Sequence, residues 1–330
     1  MVLLPNIGLF DIGLSLVYLV IIYFFAFLYQ QKKKETNPEY KYFLIGLSAK
    51  VVGSISFVLI SLYYYQKGDT FLYFQIAEDL RTHLFIDFKK TIGTFLTSYA
   101  NLDSVNFNPL EKYNYYYERT SNWDFGRLVF LFNLISFGSY LVCSILMAVV
   151  SFLGLWLGYK TMCRLYKKAT KLFMIPFFLI PTALIWSSGI LKDTIIIGVV
   201  GLFIFTFSEV FIYKKRHNIL IYLLKVLGII LLAFLKPVLL FVFMSSLIFW
   251  GLSYLLRGYY ALKKKLFVVI ITVVIVSGVG YFGGSMILNK SPKYKVENLM
   301  KTLKGFQTLH PNYATPKSQY SLGEIKYTPM

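Results

Sequence analysis

The chain contains few of the residues that build disulfide frameworks and metal centres. Its 330 residues include only two cysteines and three histidines. Cys143 falls within an apolar run and Cys163 within a basic loop, so we expect the two to lie on opposite sides of a membrane, unpaired. Because the histidines are scattered without ligand-like spacing, a histidine-based metal site is not expected.

Charged residues are also scarce, and acidic ones are the scarcest. Charged side chains make up 15% of the chain, against about a quarter in soluble domains, while 57% of the residues are hydrophobic. The mean hydropathy is +0.62, and this balance predicts a polytopic membrane protein. Fifteen acidic residues against 34 basic ones give a net charge of +19. The basic residues cluster in short loops beside apolar runs, where they fix membrane topology, so nucleic-acid binding is not expected.

The apolar runs predict an all-α fold. We expect a polytopic transmembrane helical bundle of about eight membrane segments, with amphipathic interfacial helices at its outer surface. The expected parts are two transmembrane helices in 1–65, an extracytoplasmic loop with an amphipathic helix in 66–127, a transmembrane helical core in 128–287, and an extracytoplasmic tail in 288–330. The chain stops abruptly at Tyr327-Thr-Pro-Met, which suggests a truncated sequence.

The basic loops also predict an orientation. Positive residues favour the cytoplasmic side of a membrane, and the lysine cluster 32–34 follows the first apolar run. We therefore expect a multi-pass protein of the bacterial cytoplasmic (inner) membrane, with both termini extracytoplasmic. In that orientation Asp69, Lys192 and Asp193 reach the outer face. Lys236 reaches it too, although the positive-inside bias gives a lysine no topological role there.

Lys192, Asp193 and Lys236 form the first candidate site. One interpretation is a cationic pocket for the phosphate or pyrophosphate of a lipid, assisted by the free backbone N–H groups of the helix that follows Asp193. The other interpretation is a salt bridge between neighbouring hairpins. In either case Asp193 is expected to be the N-cap of that helix.

Asp69 is the second candidate. Its carboxylate could act as a general base on a sugar hydroxyl or hold a divalent cation, and the alternative is a plain helix cap formed by Asp69 or Thr70. Apolar residues recur after it at helical spacing, so we expect an amphipathic helix on the membrane surface. Asp79 on that helix is a second-tier candidate, with Glu78 and Arg81 as its expected partners on a solvated face.

Several other features have competing interpretations. A tyrosine patch at 113–117 is either an interfacial belt or a stacking surface for sugar rings. The short run 172–186 contains two prolines and precedes a Ser/Gly turn, which is typical of a broken helix covered by protein or water. Gly280 and Gly284 have the spacing of a close helix contact, although chance explains it as well. Snorkelling to a cytoplasmic boundary explains the charges that fall inside apolar runs. These are Lys50, Lys225 and Glu209.

The sequence resembles the GT-C superfamily of polyprenyl-phosphate-sugar-dependent glycosyltransferases. The matching residues are Gly68-Asp69-Thr70 with Tyr73-Phe74 after them, Ser187-Ser188-Gly189 with Lys192-Asp193, and Lys236-Pro237. The Gly-Asp-Ser/Thr and Ser-Gly-x-x-Lys-Asp segments also resemble those of large membrane proteins of Bacteroidetes-type bacteria. The resemblance implies that Asp69 is the catalytic base or a metal ligand, and that Lys192 and Lys236 bind the lipid phosphate.

Three functions remain open at this point. The first is an inverting glycosyltransferase that moves a sugar from a polyprenyl-phosphate donor to an extracytoplasmic acceptor. The second is a transporter or flippase of a lipid-linked or anionic substrate, which the broken hairpin favours. The third is a non-catalytic subunit of an envelope assembly. The lipid bilayer is a partner in each case, and the polyprenyl-phosphate-linked sugar is a partner in the first.

Overall fold

The computed structural model describes residues 4–97, 120–213 and 219–255, and all regular secondary structure within them is helical. The helices are α1 (Leu9–Lys34), α2 (Phe43–Leu59), α3 (Asp69–Leu84), α4 (Phe88–Leu96), α5 (Thr120–Ile135), α6 (Tyr140–Leu165), α7 (Thr170–Met174), α8 (Pro181–Trp186), α9 (Lys192–Phe211), α10 (Ile219–Leu235) and α11 (Pro237–Leu255). The tyrosine patch, the Gly280/Gly284 pair and the tail 288–330 lie outside these ranges, as does the side chain of Lys225.

Three stretches of the described residues are long and apolar enough to cross a membrane. They are Leu9–Lys34, Pro38–Tyr65 and Tyr140–Leu165. The prediction of about eight segments is therefore too high for the described part of the chain. The apolar stretch 172–186 is divided into short helices. The apolar helices within 219–235 and 238–256 are also shorter than these three, and they are Tyr222–Ala233 and Val242–Gly251.

α1 presents apolar side chains to its surroundings along most of its length. Among its described residues only Ser15 is buried, and large side chains such as Phe10 and Phe24 are more than half exposed. A soluble protein rarely leaves so large a contiguous apolar surface open to water, so this face fits contact with lipid.

The helix that begins at Asp69 packs its apolar face against other helices. The apolar residues of α3 face α5 and the start of α6: the rings of Tyr73 and Phe125 are 4.7 Å apart, and Phe74 packs edge-on against Tyr140. A Cβ at Gly126 would lie 2.6 Å from Ile76, so only glycine permits this approach of α5 to α3. The apolar face of α3 thus has a helical partner, α5, which follows about fifty residues later in the sequence, and the place of α3 at a membrane surface stays a prediction.

α6 and α9 form the tightest helix pair of the bundle. A Cβ at Gly154 would lie 2.2 Å from the carbonyl oxygen of Gly198, and a Cβ at Gly158 would lie 3.0 Å from the Cα of Gly201. Small residues at this spacing let two backbones meet, which is a common way for membrane helices to pack. Arg164 and Glu209 pair at one end of this contact. Glu209 is thus buried in an ion pair instead of snorkelling to an interface.

The predicted broken helix is confirmed. α7 continues into a π-helical turn, Ile175–Leu179, and α8 begins at Pro181 and ends at Trp186. The chain then passes through Ser187, Ser188, Gly189 and Ile190, all buried, before α9 begins. Gly189 lies against Phe57, where a Cβ would be only 2.0 Å from the ring. The non-helical backbone of 187–190 is therefore covered by protein, as its unpaired polar groups require.

Candidate functional site

A distorted connection places Asp69 at the start of α3. α2 ends in a π-helical turn, Ile60–Tyr65, after which Gln66 has a φ of 54° and Gly68 a φ of 140°. The N-cap of α3 is Gly68, and its first residue is Asp69. Asp69 and Thr70 therefore do not cap the helix as the sequence suggested. The exposed Asp69 carboxylate lies in the first turn, where the helix dipole stabilises a negative charge.

The structure links Asp69 to Lys192 through two other side chains. The Tyr73 hydroxyl lies 3.5 Å from Asp69 Oδ2 and 3.3 Å from Asn122 Oδ1, and its single hydrogen can be donated to either oxygen. Lys192 Nζ donates to the same Asn122 oxygen at 2.7 Å. We call Asp69, Tyr73, Asn122 and Lys192 the Asp69 cluster. It joins α3, α5 and α9, so an acid and a cation predicted from separate segments share one site.

The central residues of the Asp69 cluster are buried, and its carboxylate is exposed to solvent. Tyr73 and Asn122 are buried, whereas Asp69 is exposed and Lys192 is partly exposed. The Lys192 ammonium also lies 5.4 Å from the centre of the Tyr73 ring, within the range of a cation–π contact. A substrate could therefore approach the Asp69 carboxylate from solvent while a cation is held on the other side of Tyr73.

Asp193 and Lys236 form the salt bridge that was the alternative interpretation. Lys236 Nζ lies 2.5 Å from Asp193 Oδ1, and the two side chains are 39% and 56% exposed, respectively. An exposed pair of this kind contributes about 0–1 kcal/mol, so an anionic ligand could displace the Asp193 carboxylate from Lys236 at low cost. Asp193 is not the N-cap of α9, because the helix begins at Lys192 and its N-cap is Leu191.

Asp79 lies away from the Asp69 cluster. Ten residues of α-helix separate it from Asp69, which is about 15 Å. Its expected partners bind each other instead: Arg81 donates to Glu78 at 2.5 Å, and Asn133 Nδ2 donates to the other Glu78 oxygen at 3.2 Å. The hydrogen bonds to the Glu78 carboxylate raise the pKa of Arg81. This group ties α3 to α5 and leaves Asp79 as an untested candidate.

An open cleft lies between α8 and α9. Its volume is about 310 Å³, and its lining is apolar except for Ser187 and Asp193. The lining residues are Ala183, Trp186, Ser187, Asp193, Ile196, Ile197 and Val200. The cleft thus runs along about two turns of α9, starting from the salt-bridged Asp193.

Sequence reasoning gave no site role to three residues that the structure brings into polar contacts at or near these sites. Tyr73 was visible as a residue one helical turn after Asp69, but Asn122 carried no signal, because nothing local pairs it with α3 or α9. Lys50 was assigned to snorkelling. The structure instead buries it and bonds its ammonium to Ser187 and Ser151.

No metal centre is assembled by the described ranges, where no group of three or more His, Cys, Asp or Glu side chains could share an ion. A divalent cation held by Asp69 stays a prediction.

Comparison with known proteins finds no matching family model, no matching curated protein and no matching solved structure. Function is therefore inferred from the chemistry of the site.

Proposed function

We propose that the protein is a membrane glycosyltransferase that moves a sugar from a polyprenyl-phosphate donor to an acceptor hydroxyl outside the cytoplasm. The observation that carries the proposal is the Asp69 cluster, in which the exposed Asp69 carboxylate lies beside the Tyr73 hydroxyl and the Lys192 ammonium donates to the neighbouring Asn122. Sugar transfer from a lipid phosphate needs a base for the acceptor and a cation for the departing phosphate, and this cluster contains one of each.

In the proposed reaction Asp69 removes the proton of the acceptor hydroxyl. The acceptor oxygen attacks the anomeric carbon, the bond from that carbon to the phosphate oxygen breaks, and the phosphate leaves with the bonding electrons. Lys192 stabilises the charge that develops on the phosphate, and Lys236 assists when the phosphate displaces Asp193 from it. Attack opposite the leaving group inverts the anomeric centre.

The surroundings of the site also support a substrate carried by a lipid. The cleft beside Asp193 has apolar walls, and three stretches of the chain could cross a membrane. In the proposed orientation, lysines 32–34 face the cytoplasm of a bacterium and the Asp69 cluster faces outward, in keeping with the positive-inside bias.

The proposal is tested by Asp69→Asn in proteoliposomes. Each assay supplies one polyprenyl-phosphate hexose and an envelope extract as the source of acceptor, and free polyprenyl phosphate is measured. Loss of a general base lowers the rate about 10²–10⁴-fold. Asp87→Asn is the matched control, because Asp87 is an exposed acid that caps α4 and asparagine caps equally well.

Two results would contradict the transferase. The first is no release of polyprenyl phosphate by the wild-type protein with any of the hexose donors. The second is equal release by the wild-type protein and Asp69→Asn, because the reaction would then need no base at that position.

A second candidate, a transporter of an anionic substrate, is favoured by Lys50. A charged side chain inside a candidate membrane-spanning stretch is costly and commonly marks a substrate pathway. Uptake of an anionic lipid into vesicles that is lost in Lys50→Met and kept in Asp69→Asn would support the transporter. Release of polyprenyl phosphate that depends on Asp69, with no uptake by the wild-type protein, would support the transferase.

A further inference from the structure

Lys50 is enclosed by the bundle and fully hydrogen-bonded. Its side chain is 1% exposed. Its Nζ donates to the Ser187 carbonyl oxygen at 2.5 Å, to Ser187 Oγ at 2.8 Å and to Ser151 Oγ at 3.3 Å. An ammonium has three N–H donors, so these three acceptors use all of them. Lys50 therefore has no hydrogen left for a direct bond to a ligand.

The charge of Lys50 is not neutralised by an acid of the described residues. The four ion pairs within 4–97, 120–213 and 219–255 involve other side chains. When Lys50 is protonated, neutral serine oxygens satisfy the hydrogen bonds of its ammonium, but they leave its positive charge uncompensated. Such a charge is expensive without a counter-charge, and a negative group nearby would be strongly stabilised.

Ser187 connects this buried charge to an accessible space. It bonds Lys50 with both its carbonyl and its hydroxyl oxygen, and it also lines the cleft between α8 and α9. Because Ser187 Oγ accepts from Lys50, its own hydrogen remains to be donated. A donor polarised in this way by an ammonium is well suited to an anionic oxygen.

We infer that the cleft binds an anionic single-chain lipid, with its anionic head at the Ser187 hydroxyl and Lys50 as the buried counter-charge. The apolar residues of the cleft, such as Ile196, Ile197 and Val200, contact the start of the chain. The volume of about 310 Å³ is at the small end of ligand sites, so the cleft holds the head and the first part of one chain, and the rest extends through its open side.

The other charged group of the cleft does not oppose this site. Asp193 also lines it, but its carboxylate is paired with Lys236. The inferred site centres on Ser187 and Lys50 and does not depend on the Asp69 cluster. It lies in the cleft that the proposed transferase would use for its lipid-linked donor, but it is measured by binding alone, so its failure and the failure of sugar transfer can be told apart.

Binding of farnesyl phosphate to the purified full-length chain tests the inference. Farnesol and inorganic phosphate serve as probes that lack the charge and the chain, respectively. Ser187→Ala removes the proposed donor to the head, and Ser151→Ala is the matched control, because Ser151 bonds Lys50 but does not line the cleft. Losing a hydrogen bond to a charged group weakens binding about tenfold or more.

We expect Ser187→Ala to raise the Kd for farnesyl phosphate by that factor, Ser151→Ala to raise it several times less, and neither to change binding of farnesol. Equal losses in the two serine variants would overturn the inference, since the hydroxyls would then act only by holding Lys50. Farnesol binding as tightly as farnesyl phosphate would overturn it as well. Inorganic phosphate binding as tightly as farnesyl phosphate would show that a free anion, not a lipid, is the ligand.

Lys50→Met gives a second measurement, judged on protein whose thermal melt shows that it is folded. Methionine keeps much of the length of the side chain and removes the charge. The inference requires weaker binding of farnesyl phosphate and unchanged binding of farnesol. Wild-type affinity for farnesyl phosphate in this variant would contradict it.

Discussion

The contact between α6 and α9 gives the sharpest prediction about stability. In Gly154→Ala the new Cβ would lie 2.2 Å from the carbonyl oxygen of Gly198, about 1.2 Å less than the 3.4 Å at which ordinary contact begins. The obstacle is backbone, so no side chain can rotate away and the two helices must separate. Overpacking of this kind costs about 1–3 kcal/mol, which outweighs the gain of up to about 1 kcal/mol for alanine over glycine in a helix.

Thermal unfolding of the purified protein in detergent measures this effect. A loss of 1 kcal/mol lowers Tm by about 2–4 °C in chains of 150–250 residues, so we expect Gly154→Ala to melt several degrees below the wild type. Gly13→Ala is the control, because a Cβ there meets nothing within 4 Å. It should melt at or slightly above the wild-type temperature. If Gly154→Ala also melts at or above it, the close approach of α6 and α9 is refuted.

Two further predictions concern the Asp69 cluster and the glycine that precedes it. Gly68→Ala places alanine at a φ of 140°, where the new Cβ meets no atom within 4 Å. Backbone strain alone should therefore lower the free energy of unfolding by about 1–3 kcal/mol, measured by thermal unfolding. Gly93→Ala is the control, because it lies in a helix with equally open space and should not lower the stability. A Gly68→Ala protein as stable as Gly93→Ala would contradict this conformation. Asn122→Leu removes the oxygen that accepts hydrogen bonds from Tyr73 and Lys192. The rate of polyprenyl phosphate release in proteoliposomes should therefore fall about tenfold or more. An unchanged rate would show that the reaction does not need Asn122 to position Lys192.

Local sequence patterns predicted where the helices break but not what those breaks contact. The prolines of 172–186 interrupt helical hydrogen bonding wherever they occur, so the broken segment was predictable. The junction of α10 and α11 at Lys236 was predictable from Pro237 for the same reason. The glycines of α6 were also visible, since Gly154 and Gly158 have the GxxxG spacing that drew attention to Gly280 and Gly284.

The polar contacts could not be predicted because they join residues far apart in the chain. Snorkelling was the natural interpretation of Lys50, because the sequence shows only that it lies close to a basic loop. Its hydrogen-bond partner Ser187 is 137 residues away in the chain. The apolar pattern of α3 fits a lipid surface or another helix equally well, and its contact with α5 is seen only in the structure. Asp193 has the chemistry of an N-cap, but α9 begins one residue before it.

A double variant tests the central claim, that Asp69 and Lys192 act in one step at one site. The release of polyprenyl phosphate is measured for Asp69→Asn, for Lys192→Met and for both changes together, each in folded protein. Residues that act as a unit are strongly non-additive, so we predict that the double variant is about as slow as the slower single variant. If the fold-decreases in rate of the two single variants multiply in the double variant, the two residues have independent roles. A double variant as active as the wild type would show that neither residue takes part in the reaction.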